Sequence, residues 1–246
     1  MNFFQIFMNQ EIIKNLVNCW RTAFFTEPIL LLFLIFSFTL GLFYHRKERI
    51  RILFLIYFFI GIALFVAIDV AFVFRLFEKR AMAVFQEISN TIFALFEFIT
   101  FYCFFKECLQ TEKFKRIFGP SFLLFLVATA IFLSGLVFFR FSVDQIRKYS
   151  LYVSAFEFLF LSGMCLFYFY ELFAKIPKAT LFRRPSFLIV TTTFFYAVLP
   201  IPFFMLAMDM IFSNIYNILA ASHYLLFMLM LVSISKAFLW KTPITT

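Results

Sequence analysis

Two glutamates occupy the middle of long apolar runs, and the residues around each are nearly the same. The first run reads ALFEF at Ala94–Phe98, and the second reads SAFEF at Ser154–Phe158. A charged side chain at the centre of a membrane-spanning helix costs about 3 kcal/mol, so such residues face the protein interior or a wet cavity. Glu97 and Glu157 are therefore the first candidates for a functional site.

The composition indicates that these glutamates belong to a membrane protein. Hydrophobic residues make up 64% of the 246 residues, and 46 residues are Phe. A soluble domain could not keep that much apolar surface away from water. Ser121–Phe139 and Tyr216–Ser235 are 19 and 20 residues long and contain no Asp, Glu, Lys or Arg. Both lengths match a helix that crosses a hydrocarbon core about 30 Å thick.

The apolar segments predict an all-α membrane protein, a bundle of seven transmembrane helices. The predicted helices are Phe24–Tyr44, Ile52–Phe74, Thr91–Phe105, Ser121–Phe139, Leu151–Phe173, Phe187–Phe212 and Tyr216–Ser235. The third is the shortest because Lys106 ends its apolar run, and without it the chain would have six spans. We expect residues 23–240 to form one transmembrane domain in the lipid bilayer of the cell inner membrane.

The basic residues predict the orientation of this bundle. Loops on one side carry 14 of the 22 Lys and Arg residues, and the other side carries 8. Positive charge concentrates on the cytoplasmic side, so we expect the N-terminus outside and the C-terminus inside. Residues 1–22 are expected to lie on the outer surface as an amphipathic helix or to lead irregularly into the first span. Residues 241–246 are expected to form a short cytoplasmic tail.

The direction of each helix predicts the depth of the polar residues. Glu97, Glu157 and His223 each lie about seven residues into a helix that runs inward, which is about 10 Å at ~1.5 Å per residue. Asp69 reaches the same level from the second helix, and Asp209 lies nearer the outer surface. The expected arrangement is an outward-facing polar pocket that binds a small ligand, a cation or a proton. In the alternative, these residues only join helices by hydrogen bonds.

The pocket hypothesis has consequences for its charges. Two ionised glutamates in one pocket would repel each other, so we expect one of them to hold a proton that His223 could share. Two carboxylates and a histidine could also bind a divalent metal ion, so the presence of a metal stays open.

Two prolines, Pro200 and Pro202, interrupt the sixth helix in the sequence VLPIPFF. Proline removes a backbone donor and clashes with the preceding turn, so a kink is predicted there. The kink is either a hinge beside the pocket or a static bend.

Several classes of function lack their motifs. The chain has no HExxH, GxSxG or P-loop sequence. The last helix has His223 at mid-depth and no lysine there, so retinal is not expected, and no other cofactor is indicated. The four cysteines form no CxxC pair, which argues against a disulfide framework or a metal finger. The positive charge is assigned to orientation and lipid contact, with docking of an acidic partner as the alternative, and no nucleic-acid binding is expected.

Short motifs carry a resemblance along most of the chain. They are FEFITFYCFF with Glu97, FYFYEL after Glu157, PSF at Pro185–Phe187 and IYNIL at Ile215–Leu219. In these motifs the chain resembles a group of small seven-helix membrane proteins of Bacteroidetes bacteria whose functions are mostly not established. The resemblance implies that Asn217 belongs to the site and that the protein is similar to the sensor parts of signalling systems. Where that group often has a second asparagine in the last helix, this chain has His223.

Three functions are consistent with the sequence. The first is a sensor or binding module in which a small ligand or proton reaches Glu97, Glu157 and His223 and the signal passes to a cytoplasmic partner. The second is a small proton-coupled transporter. The third is an intramembrane, metal-assisted enzyme with Glu97 or Glu157 as the base, and the sequence favours the two non-enzymatic alternatives.

Overall fold

The helices of this chain are seen in a computed structural model that describes residues 27–44, 48–109, 111–138, 141–175, 184–202 and 214–240. Within these ranges the regular secondary structure is entirely helical, which confirms the all-α prediction for this part of the chain. The helices are α1 (Glu27–Phe43), α2 (Arg49–Val73), α3 (Lys79–Leu109), α4 (Glu112–Phe138), α5 (Val143–Lys175), α6 (Pro185–Val198) and α7 (Asn214–Leu239). The predicted surface segment 1–22 and the tail 241–246 lie outside the described residues.

The lengths and hydropathy of these helices fit a multi-pass membrane protein. Six helical segments are long and apolar enough to cross a bilayer: they lie in α2, α3, α4, α5 and α7 and in Pro185–Pro202, which is α6 with the four residues that follow it. α1 contributes a shorter apolar stretch, Ile29–Phe43. Large apolar side chains such as Phe43 and Phe138 are each 81% exposed, as expected for a surface covered by lipid. Seven crossings and their direction remain predictions.

The third helix is longer than its apolar core predicted. α3 has 31 residues and is one of the six long apolar helices, so the alternative that omits it is not supported. Its first turns, KRAMAVFQE, are rich in residues with high helix propensity, and these continue the helix beyond the apolar run. Lys106 does not end the helix, because a cation in the last turn interacts favourably with the helix dipole.

The sixth predicted helix is interrupted at one residue in the described part of the chain. α6 ends at Val198, two residues before Pro200, which lacks the N–H group that would donate to the carbonyl of Tyr196. Leu199 keeps right-handed helical angles, with φ −65° and ψ −34°, and residues 200–202 are helical again. The interruption therefore falls at the predicted prolines, and the chain continues as a helix through them. Residues 203–213 of the predicted helix lie outside the described ranges.

Six helices form a closed ring. The neighbouring pairs are α1–α2, α2–α3, α3–α5, α5–α6, α6–α7 and α7–α1. α4 packs on the outside of this ring against α3 and α5, and only 17% of its membrane-crossing window is buried. The ring therefore encloses an interior that polar side chains from six helices can share, and α4 lies towards the lipid.

Aromatic side chains fill the half of the ring nearer the basic loops. Phe54, Phe58, Phe101, Phe104 and Phe105 are each less than 2% exposed. The ring centroid of Phe54 lies 5.8 Å from that of Phe101 and 5.7 Å from that of Phe104. Each such aromatic pair contributes about 0.5–1.5 kcal/mol beyond its buried area, so this half of the interior is a tightly packed apolar layer.

A buried arginine joins three helices at the same end. Arg51 is 0% exposed, and its guanidinium group donates to the carbonyl oxygens of Phe238 at 2.8 Å and Trp240 at 3.2 Å. It also donates to the carboxylate of Glu48 at 3.0 Å and to the carbonyl of Tyr44 at 3.5 Å. The carbonyl ends of helices carry partial negative charge and lack partners within the helix. Arg51 supplies those partners and connects α2 with the ends of α1 and α7.

This contact predicts a large loss of stability when Arg51 is replaced. Arg51→Met keeps much of the apolar stem and removes the donors, so we expect the free energy of unfolding to fall by about 3 kcal/mol. Unfolding of the purified protein in detergent micelles measures the change. Arg116→Ala, an exposed charge at the same end, is the control and should change stability by about 0.5 kcal/mol or less. If both substitutions lower the free energy of unfolding by the same amount, the hydrogen bonds of Arg51 add nothing to stability and only its positive charge matters.

Candidate functional site

A cavity of about 420 Å³ lies inside the ring at the end opposite Arg51. At this end α1, α3, α5 and α7 begin, and α2 and α6 end. Every ring helix contributes to the lining, and no described residue of α4 does. The lining residues are Leu30, Phe65, Ile68, Gln86, Glu87, Asn90, Phe93, Ala94, Glu97, Ser150, Leu151, Ser154, Glu157, Phe158, Tyr196, His223, Tyr224 and Phe227. Glu97, Glu157 and His223, which the sequence placed at one depth, therefore border the same space.

Glu97 is held by tyrosines from two other helices. Its side chain is 2% exposed, and Oε2 accepts a hydrogen bond of 2.8 Å from the hydroxyl of Tyr57 on α2. The hydroxyl of Tyr196 on α6 is close enough to interact with the same carboxyl group. The other oxygen, Oε1, has no hydrogen-bond partner among the described residues. One oxygen of this carboxyl group is thus positioned by the protein, and the other is buried without a hydrogen bond to a described residue.

Glu157 brings a second carboxyl group to the same cavity. It is 3% exposed, and its Oε1 also lacks a hydrogen-bond partner within the described ranges. α3 and α5 pack directly against each other, and the two glutamates interact electrostatically. Two ionised carboxylates in a buried site repel each other, and a proton or a cation between them removes that repulsion.

His223 lies in the aromatic wall of the cavity. Its ring stacks on Tyr196 at a centroid distance of 5.1 Å and an interplanar angle of 23°. It also contacts the ring of Phe158 edge-on at 5.4 Å. These two contacts fix the plane of the imidazole beside the carboxyl groups.

Four further ring contacts make the wall continuous across five helices. Phe93 of α3 lies 5.1 Å from Tyr57 and 5.9 Å from Phe227 of α7. Tyr196 of α6 lies 5.3 Å from Phe227 and 5.2 Å from Phe158 of α5. The carboxyl groups therefore lie beside a belt of aromatic rings.

The polarity of the cavity decreases from its mouth to its floor. Gln86, Glu87, Asn90 and Ser150 lie near the starts of α3 and α5, and Asn90 is exposed. The two buried glutamates lie about two turns further along these helices. Beyond them the interior is closed by the aromatic layer that contains Phe101, so in the described residues the polar lining ends at the glutamates.

The remaining predicted site residues lie elsewhere or are only partly described. Asp69 is half-buried and is not part of the lining, although its neighbour Ile68 is. Asn217 lies in α7, and its side chain is outside the described part. Pro200 and Pro202 follow the end of α6, one to two turns beyond Tyr196. Asp209 also lies outside the described residues.

The sequence analysis did not identify the two tyrosines that contact Glu97. Tyr57 and Tyr196 are 0% and 4% exposed. A signal was available, because a tyrosine among phenylalanines in a transmembrane helix has a hydroxyl group that needs a buried partner. Tyr57 in LIYFFI and Tyr196 in FFYAVL both fit this pattern.

The described residues offer no support for a metal centre. They contain no group of three or more His, Cys, Asp or Glu side chains placed to hold a metal ion. Glu97, Glu157 and His223 line one cavity without converging on one point in that way. The hypothesis of a metal-assisted enzyme therefore lacks a set of ligands in this part of the chain.

Comparison with family models, with curated proteins and with solved structures found no match. The resemblance to the small membrane proteins of Bacteroidetes remains a prediction, and the function has to be inferred from the geometry of the cavity.

The bond between Tyr57 and Glu97 predicts a measurable coupling. Tyr57→Phe and Glu97→Gln, singly and together, form a double-mutant cycle whose coupling energy should be about 1 kcal/mol or more, because the two groups touch and are buried. Unfolding of the purified variants in detergent gives the four free energies. The matched control is Tyr168→Phe with Glu97→Gln, because the hydroxyl of Tyr168 bonds to Ser186 instead. Additive effects in the Tyr57 cycle would contradict the bond.

Proposed function

We propose that this protein is a sensor in the cell inner membrane that binds a small ligand or a proton in the cavity. It reports the occupancy of the cavity at the opposite end of the ring, where Arg51 and the basic loops lie, which we call the basic end. One observation carries the proposal: two buried carboxyl groups, each with an oxygen that has no described protein partner, lie at the bottom of a cavity. Helix-joining residues would be expected to satisfy each other, because an unpaired polar atom in an apolar interior is destabilising. The unpaired oxygens support a site that is completed by something other than the protein.

The closed half of the ring favours a sensor over a transporter. A carrier needs a polar route to the second side of the membrane, and the polar lining of the cavity does not continue beyond the glutamates into the packed layer of Phe54, Phe101 and Phe104. The buried Arg51 strengthens that closed end by joining α1, α2 and α7. A proton-coupled transporter remains the second candidate because the same carboxyl groups could carry protons.

Two long helices provide a physical link between the cavity and the basic end. α3 and α5 carry Glu97 and Glu157 and have 31 and 33 residues, which corresponds to roughly 45–50 Å at ~1.5 Å per residue. A shift at the cavity therefore moves their far ends as well. At that end Lys106, Lys113 and Arg116 are exposed and suit either an acidic partner protein or anionic lipid headgroups. The orientation with this end in the cytoplasm follows from the distribution of positive charge.

Filling the cavity should change the basic end. Ser154→Trp places a bulky side chain in the cavity from α5 without altering either glutamate. Spin labels at Lys106→Cys and Lys236→Cys, in a background without native cysteines, should then shift in mean separation by about 1–2 Å, the usual scale of helix shifts in switching proteins. Pulsed electron paramagnetic resonance in lipid nanodiscs measures this distance.

The control for this experiment is Ser134→Trp, the same substitution at an exposed position on α4, outside the cavity. It should leave the distance distribution unchanged. If both variants leave the distribution unchanged, the cavity is not coupled to the basic end and the sensor hypothesis fails.

Proton flux separates the sensor from the transporter. Proteoliposomes with an internal pH-sensitive dye are given an external acid pulse, and we expect the wild-type rate to equal that of the double variant Glu97→Gln and Glu157→Gln. The reason is that the polar lining of the cavity does not continue through the aromatic layer to the other end of the ring. A wild-type rate that is faster, and that the double substitution abolishes, would instead establish the carrier.

A further inference from the structure

We propose that the ligand of the cavity is a primary or secondary ammonium ion that carries a small apolar body. This inference rests on the proposed binding function and names the chemistry that the cavity would recognise. It combines the charge of the lining, the unfilled acceptors and the aromatic belt.

The charge of the lining selects a cation. Glu97 and Glu157 face the cavity, and no lysine or arginine occurs among the described lining residues. An anion would meet these two carboxyl groups without a positive lysine or arginine side chain in the described lining. A cation would lie between the two buried glutamates and remove their mutual repulsion.

The unfilled acceptors select a cation with hydrogen-bond donors. Oε1 of Glu97 and Oε1 of Glu157 are both buried, and neither has a hydrogen-bond partner among the described residues. An N–H group of a primary or secondary ammonium ion can donate to each oxygen, and hydrogen bonds to ionised groups are stronger than neutral ones. A quaternary ammonium ion has no N–H group and would leave both oxygens unpaired.

The aromatic belt selects an organic cation. Phe93, Phe158, Tyr196 and Phe227 line the cavity and form a continuous series of ring contacts around the glutamates. Aromatic faces attract ammonium groups and also pack against apolar groups. The cavity volume of about 420 Å³ lies in the usual range for small-molecule pockets and exceeds the needs of a single inorganic ion.

A series of four probes with the same phenylethyl body tests each part of this inference. Phenethylamine, its N,N,N-trimethyl analogue, 2-phenylethanol and 3-phenylpropionate share one aromatic body and differ in the head group. Each is titrated into the full chain in lipid nanodiscs, and the shift of the unfolding temperature and the heat of binding are recorded. We expect phenethylamine to bind, and the alcohol and the carboxylate not to bind. The trimethyl analogue should bind at least about tenfold more weakly than phenethylamine, because it cannot donate hydrogen bonds.

Two variants locate the binding. Glu157→Gln should weaken phenethylamine binding by about ten- to hundredfold, because it removes a charged acceptor. Glu112→Gln, whose side chain is 81% exposed and pairs with Lys115 at the opposite end, is the matched control and should leave binding unchanged. If Glu157→Gln does not fold, Ser154→Trp serves instead, because it fills the cavity, keeps both glutamates and should abolish binding.

Each other outcome overturns the inference in a defined way. If the alcohol or the carboxylate binds more tightly than phenethylamine, the inference that the ligand is a cation is wrong. If the trimethyl analogue binds as tightly as phenethylamine, the ligand does not need N–H donors. Stabilisation by zinc chloride that is lost in Glu157→Gln would favour a metal ion. If no probe binds, the ammonium class fails. The proposed sensor is then judged separately by the label distance in Ser154→Trp, which needs no ligand.

Discussion

Keeping two carboxyl groups inside an apolar bundle is the constraint on which the rest of the structure depends. Lipid offers no hydrogen-bond partner, so the protein interior must supply one. Glu97 accepts a hydrogen bond from Tyr57 of α2 and lies near Tyr196 of α6, and Glu157 lies on α5, which packs directly on α3. These contacts require helices that are distant in the chain to meet at one level. The closed ring satisfies this requirement. Oε1 of Glu97 and Oε1 of Glu157 still have no hydrogen-bond partner among the described residues.

The two ends of the ring differ in packing, as the proposed sensor function requires. At the basic end Arg51 binds the carbonyl ends of two helices, and aromatic side chains fill the interior next to it. At the other end the cavity replaces such packing, and the lining polar groups have room for a ligand. Local stability follows packing and hydrogen bonding, so the cavity end is the part that can adjust while the basic end stays assembled. α3 and α5 run through both regions and connect them.

The sequence was most informative where a local pattern decides the structure. The apolar segments predicted the helical elements, because a helix in lipid must satisfy its own backbone hydrogen bonds. The limits of the helices were less predictable. α3 continues through polar residues with high helix propensity, and α6 is interrupted at Leu199, directly before Pro200, although the apolar run continues. In both cases backbone chemistry, and not hydropathy, determined the end of the helix.

The sequence by itself determined the depth of Glu97, Glu157 and His223, because the rise of a helix per residue is constant. It could not determine which way each side chain faces or which helices become neighbours, because these depend on packing between residues far apart in the chain. Only the tertiary structure placed the three residues around one cavity, left Asp69 outside the lining and brought Tyr57 and Tyr196 to Glu97. It also decided that α4 lies outside the ring, which hydropathy alone did not indicate, because the mean hydropathy of α4 (2.2) is below that of the ring helix α2 (2.6).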